Sequence, residues 1–215
     1  MGLFDWLFGK RDVPPEFDNV ELEPDLVWLS HGARLAGLSR YVAALFAHPP
    51  APSAVLLVAY FPQRLLDLEQ AVADAGVDGP VAAATVDQLE TLTTGRLGLG
   101  EAHRVVIVVG ERHPLATADD DLLEFLGRLP CHCRVQHHLS LDDAVLRIAT
   151  GPWLEKMLRT MGMTDDEAID AKQLSERIRR LQRKLEPHVS GDAAADSAEE
   201  WLMRNCPDQY EKLRW

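Results

Sequence analysis

Two short stretches of this sequence are apolar at every position rather than at alternate ones: Ala54 to Ala59, and the valines and isoleucine that follow Arg104 up to Val109. A strand with no polar face is covered on both sides, so each predicts an interior strand of a parallel sheet. Around them the spacing changes to that of a helix. Ser30 stands as an N-cap ahead of Leu35, Leu38, Val42 and Leu45, and Pro49 and Pro50 close that helix. Leu65, Leu68 and Val72 mark the inward face of another, with Gly76 in its C-cap position. Asp25 to Leu29, Val81 to Thr85 and Arg134 to Leu139 read as further strands, and Asp87 to Thr93 and Asp119 to Leu129 as further helices. Parallel neighbours need crossover helices, so the alternation predicts an α/β fold with a doubly wound, mostly parallel sheet.

From Leu141 onward the strand signal ends. Asp142 to Ala149, Trp153 to Met161 and Lys172 to Glu186 all carry helical patterns, and in the last of these Leu174, Ile178, Leu181 and Leu185 form an apolar seam that needs a surface to cover it. Pro187 to Asp196 reads as a linker, and Ser197 caps a short helix bearing Trp201 and Leu202. The expected organisation is an amphipathic segment at 1–13, an α/β domain at 25–141, an all-α extension at 142–186, and a linker with a short helix at 187–215.

The first residues are apolar too, but Asp5 interrupts them and no small-residue cleavage site follows, so they are not a signal peptide. On a helix Leu3, Phe4, Leu7 and Phe8 share one face, Trp6 adds an aromatic, and Lys10 and Arg11 are placed to meet anionic headgroups. Two uses stay open: packing back on the chain's own domain, or anchoring to a membrane surface or partner.

Charge and cysteine content narrow the picture. A formal net charge of −12 argues against coating a nucleic acid. The three cysteines, Cys131, Cys133 and Cys206, fit a reducing compartment, and no apolar run is long enough to span a bilayer, so the expected location is cytoplasmic. Lys172 to Glu186 runs against the overall charge, with a net +4 that leaves −16 elsewhere. Arg177, Arg180 and Lys184 share one face there, suited to an acidic partner or to the chain's own acidic body. Cys131, Cys133, His137 and His138 are zinc-type ligands, but a strand through Arg134 to Leu139 would hold Cys131 and His137 up to about 20 Å apart, so no metal site is expected.

Four elements in order carry a resemblance: Gly110-Glu111-Arg112-His113; His138-Leu139-Ser140-Leu141-Asp142-Asp143; Met161-Gly162-Met163 with Asp165, Asp166 and Glu167; and Leu181-Gln182-Arg183-Lys184-Leu185-Glu186. Together they resemble the preprotein translocase motor ATPase SecA, in the stretch from its second nucleotide-binding lobe into its helical scaffold. The resemblance covers about Asp25 to Glu186 and implies a RecA-like fold, the C-terminal lobe of a superfamily-2 motor.

The departures bear on activity. That family carries a Gly-Arg-x-Gly-Arg-Gln-Gly-Asp run whose arginines reach nucleotide phosphates, whereas Leu122 to Cys133 here holds only Arg128 in that interval. The sequence also has no G-x-x-x-x-G-K-[ST] element. The resemblance therefore implies a lobe without hydrolysis: not an enzyme, with no cofactor, acting as an adaptor or regulator on a protein partner, either a translocation motor or a membrane receptor, and peripheral to the membrane's inner face. Glu111, Arg112 and His113 end a central strand, where doubly wound folds place ligand crevices, and mark a vestigial site or, alternatively, a nucleotide- or phosphate-binding one. Phe4, Trp6, Leu7, Phe8, Arg177, Arg180, Lys184 and Trp201 are the candidate interaction residues.

Overall fold

The computed structural model describes residues 13–95, 97–170 and 172–213. The N-terminal candidates Phe4, Trp6, Leu7 and Phe8 lie outside them. Strands β1 (Val20–Leu22), β2 (Leu26–Trp28), β3 (Ala54–Ala59), β4 (Val81–Thr85), β5 (Arg104–Val109), β6 (His132–Ser140) and β7 (Ala168–Asp170) form one sheet in the order β4-β3-β5-β6-β2-β7, and β1 also pairs with β6. Every pairing is parallel except that of β2 with β7. The expected mostly parallel α/β architecture is the one observed, and it fits a RecA-like fold.

The two unalternating runs are β3 and β5, side by side in the sheet and buried almost throughout, as their sequence requires. Helices α1 (His31–Ala47) and α2 (Pro62–Ala75) cover one face, where Leu38, Val42, Leu68 and Ala71 meet Val55, Leu57, Val106 and Val108. Ser30 caps α1 by accepting from the amide of Ala33, and Gly76 ends α2 at φ +59°. Helices α3 (Leu89–Gly95) and α4 (Ala116–Gly127) cover the other face over Leu56, Val58, Ile107 and Val135.

Beyond β6 the chain continues as α5 (Ala144–Thr150), α6 (Trp153–Thr160), α7 (Lys172–Leu185), α8 (Ala198–Asn205) and α9 (Pro207–Leu213). Between α6 and α7 a strand appears where a purely helical extension was expected. It is β7, antiparallel to β2 with Ile169 opposite Val27. Three residues carry no alternation of their own; the edge of β2 supplies the pairing. The α7 seam is covered by the chain itself: Ile178 and Leu185 are buried, and Leu174 and Leu181 pack against a core shared by β2, β6, α5, α6, α8 and α9.

Candidate functional site

Glu111, Arg112 and His113 follow β5 at the carboxyl end of the sheet, as expected, and their side chains go three different ways. Glu111 is buried and turns toward β3, where its Oε1 accepts from the backbone amides of Tyr60 at 3.1 Å and Phe61 at 3.2 Å. Its other oxygen lies 3.6 Å from Nε of Arg64 on α2. Burial pushes the carboxyl up to about 7, against the opposing pull of Arg64. Arg112 is clamped by two buried carboxylates, Asp25 at 2.6 Å and Asp119 at 3.0 Å. Burial favours the neutral form of Asp119, but the Arg112 guanidinium, His137 and hydrogen bonds from Gln182 and Tyr60 together outweigh it and hold that carboxyl below its ordinary range. The ring of His113 stacks on Phe61 and meets Trp201 edge-on, and burial lowers its pKa to about 4.

Around Glu111 the fold assembles residues that sequence spacing does not connect. Arg34 on α1 has no solvent exposure; its Nη1 donates to both carboxylate oxygens of Asp143, at 2.8 and 2.7 Å, and to the carbonyl of Gly110 at 3.0 Å. Arg64 reaches the same Asp143 at 2.9 Å and its neighbour Asp67 at 2.8 Å. Both guanidiniums donate to Nδ1 of His31, whose Nε2 faces Asp67 at 3.5 Å. Desolvation and the two arginines keep His31 low in pKa, with Asp67 opposing. Asp143 also accepts from the amide of Ser140, which fixes the turn from β6 into α5. A cleft of about 230 Å³ opens beside this network, and its wall presents Asp67, Asp142 and Glu199 as well as Arg64.

A second clasp holds α7 to the site. Gln182 donates to the carbonyl of His113 and to Asp119, both at 2.7 Å. Arg179 and Arg183 pair with Asp120 on α4, so part of the basic charge of this helix is neutralised within the chain. Arg177, Arg180 and Lys184 lie on its exposed side. Trp201, expected as an interaction residue, is instead buried: it anchors α8 on His113 in the shared core and presents little surface to another protein.

The metal-type residues do not converge. Cys131 and Cys133 are buried with their sulfurs 3.7 Å apart, and burial pushes the Cys133 thiol up. His137 and His138, adjacent on β6, point to opposite faces, toward Asp25 and toward Trp28 and Tyr41 respectively. Among the described residues no three His, Cys, Asp or Glu side chains could hold a metal ion. A larger groove, of about 660 Å³, lies at the amino ends of β5 and β6, lined in part by Tyr41, His48, Arg104 and Arg134.

Three of the four sequence elements meet here. Gly110 and Asp143 share Arg34, Gln182 reaches His113, and Met163, from the fourth, packs against the shared core. Over 197 residues the chain is 30% identical to protein translocase subunit SecA of Stenotrophomonas maltophilia (strain R551-3). The chain is SecA-like. The alignment takes in 84% of this chain and 21% of that protein. SecA of Xylella fastidiosa (strain M12) is 34% identical over 82 residues, and SecA of Xanthomonas campestris pv. campestris (strain B100) 35% identical over the same length, which is 38% of this chain and 9% of each SecA. The SecA-like chain thus spans about a fifth of the first of these relatives, and no family model matches it. Among its described residues no helix is long and apolar enough to cross a membrane.

Proposed function

We propose that this chain is a non-catalytic, SecA-like adaptor or regulator that works through protein contacts in the protein-export machinery, on the cytoplasmic side and close to the membrane. The observation that carries the reading is the internal neutralisation of the carboxyl-end cleft. Phosphoryl transfer needs cationic groups aimed at charge developing on phosphate. Here Arg34 and Arg64 end on Asp143, and Arg112 ends on Asp25 and Asp119. A polyphosphate entering the cleft would compete with those carboxylates and face Asp67, Asp142 and Glu199 besides.

The SecA relatives, named as protein translocase subunits, support a role in translocation. A lobe with the outline of half a motor could pair with a complete motor or its receptor, and the exposed Arg177, Arg180 and Lys184 offer that partner a basic contact. The test is an affinity pull-down of tagged full-length protein from gently solubilised cells, beside a version lacking Met1 to Arg11. Recovery of a translocation motor or membrane receptor by the full-length protein supports the adaptor reading; recovery of nothing specific by either sinks it.

One observation favours a second reading. Glu111, with a carboxyl near 7, borders a cleft large enough for a small ligand, the environment of an acid-base or phosphate-sensing site. A thermal shift with nucleotides separates the two.

A further inference from the structure

The groove at the amino ends of β5 and β6 lies at the opposite end of the sheet from Glu111 and shares no residue with the cleft there. Its floor is sheet. Arg104 and Val106 of β5, His132 and Arg134 of β6 and Glu21 of β1 all line it, and the strand register sets Arg104 opposite His132, Val106 opposite Arg134, and Arg134 opposite Glu21. Alternate residues of a strand share a face, so these five stand together on the side that α1 covers, where Arg134 donates to the hydroxyl of Tyr41 at 3.3 Å. Ala44 and Leu45 from the last turns of α1, with Pro50 and Pro52 ahead of β3, add apolar lining. The volume, about 660 Å³, is that of a cleft that takes a small organic ligand.

The charges of the groove are unequally matched. Arg134 has acids beside it: its Nε lies 3.8 Å from Glu23, and Glu21 is its neighbour across the strands. Arg104 and His132 have none. Both are exposed, and among the described residues no ion pair or hydrogen bond engages either side chain. Opposite charges facing each other across strands stabilise a sheet, yet the place opposite this guanidinium is taken by an imidazole, a second group that can donate to an anion. The acids of the lining, Asp18 and Glu21, sit on the β1 side, with β6 between them and Arg104; His48, just past α1, is the remaining titratable side chain besides the buried Cys133 and the Tyr41 hydroxyl. We propose that this groove binds an amphipathic acid of the fatty-acid class, its carboxylate held by Arg104 and His132 and its hydrocarbon chain laid over Ala44, Leu45, Pro50 and Pro52. A guanidinium offers a carboxylate two parallel N–H donors, and the apolar lining removes the chain from water. A small inorganic anion would use only the first of these and a cationic amphiphile only the second. The acid uses both.

The test titrates decanoate, kept below its micellar concentration, into the full-length protein at pH 7, followed by calorimetry and by amide NMR shifts. The expected result is one saturable site whose shifts centre on Arg104, His132 and Ala44 and spare His31 and Glu111. Arg104→Gln changes an exposed residue, so the fold should keep its Tm while decanoate binds at least tenfold more weakly; Arg104→Lys, which keeps the charge without the paired donors, should fall between the two. Ala44→Trp, from an exposed position on α1, should fill the groove and weaken binding by a similar factor. Acetate, the head without the chain, and decyltrimethylammonium, the chain with the opposite charge, should each bind at least tenfold more weakly than decanoate. Uptake that does not saturate, shifts centred on the cleft beside Glu111, or an affinity that Arg104→Gln leaves unchanged would overturn the proposal. So would decyltrimethylammonium binding as tightly as decanoate, since the groove would then be indifferent to charge. Because the groove and the Glu111 cleft share no residue, either outcome is independent of the adaptor reading.

Discussion

One guanidinium nitrogen of Arg34 lies 2.8 and 2.7 Å from the two carboxylate oxygens of Asp143, a residue 109 positions further along the chain. The pair ties α1 to the turn that starts α5; Arg34 is fully buried, and Asp143 lines the cleft. Removing Asp143 strands the Arg34 charge in a low-dielectric interior, whereas removing Arg34 leaves Asp143 its second partner, Arg64. Asp143→Ala is therefore expected to cost about 3–5 kcal/mol in urea unfolding, and Arg34→Met less. Because Arg34→Met removes the buried charge that Asp143→Ala would strand, the two together should cost well below the sum of their separate losses. Additive losses would show that the pair does not act as a unit.

Glu111 makes stability fall as pH rises, the reverse of an ordinary salt-bridged carboxylate. Its folded pKa is raised to about 7 from 4.5, so between those values the unfolded chain has released the proton that the folded chain retains. Glu111→Gln keeps an oxygen for the Tyr60 and Phe61 amides and removes the ionisation. Relative to wild type, the variant should gain about 3 kcal/mol between pH 4.5 and pH 7, read from urea titrations across that range. A constant difference over the same interval would place Glu111 in a solvated site.

His138 acts with the opposite sign. Burial against Trp28 and Tyr41 lowers it to about 3, so its contribution is complete above pH 6.5 and is lost as pH falls from there toward 3. Neither ring nitrogen has a hydrogen-bond partner among the described residues. His138→Leu should therefore lose less stability on acidification than wild type, by roughly 2 kcal/mol at pH 5. Matching acid profiles would count against a buried neutral imidazole.

At Gly37 a Cβ would come within 2.0 Å of the Trp28 ring, so α1 sits on β2 through a missing side chain. Gly37→Ala improves intrinsic helix propensity yet should destabilise the fold by about 1–3 kcal/mol, since neither ring nor helix can yield without opening the core. A more stable variant, seen as a higher Tm, would contradict this packing.

The strands and helices readable from sequence are those whose surroundings are uniform along their length. β3 and β5 are covered on both faces, which leaves only apolar residues, and α1 and α2 carry one covered face at helical spacing. β1 and β7 are three residues each, and their conformation comes from pairing with β6 and β2, so nothing local announces them. The site divides in the same way. Glu111 to His113 follow from their place at the end of a central strand. Arg34, Arg64 and Asp67 read as ordinary polar residues of helices, and Asp143 as a residue of a shared motif, until the crossovers bring α1, α2 and the β6-α5 turn to one point. Trp201 misleads because a tryptophan in a short terminal helix suits a binding anchor as well as a core plug; the pocket beside His113 decides it.

The most direct test of the account is a thermal melt of the full-length protein with and without millimolar MgATP, MgADP and inorganic phosphate. A ligand bound to the native state raises Tm with concentration. If the arginines of the cleft are already held by Asp143, Asp25 and Asp119, all melts should superimpose within error. A rise of several degrees with any of these ligands, abolished by Arg64→Ala, would contradict the account and make the cleft beside Glu111 a working phosphate site.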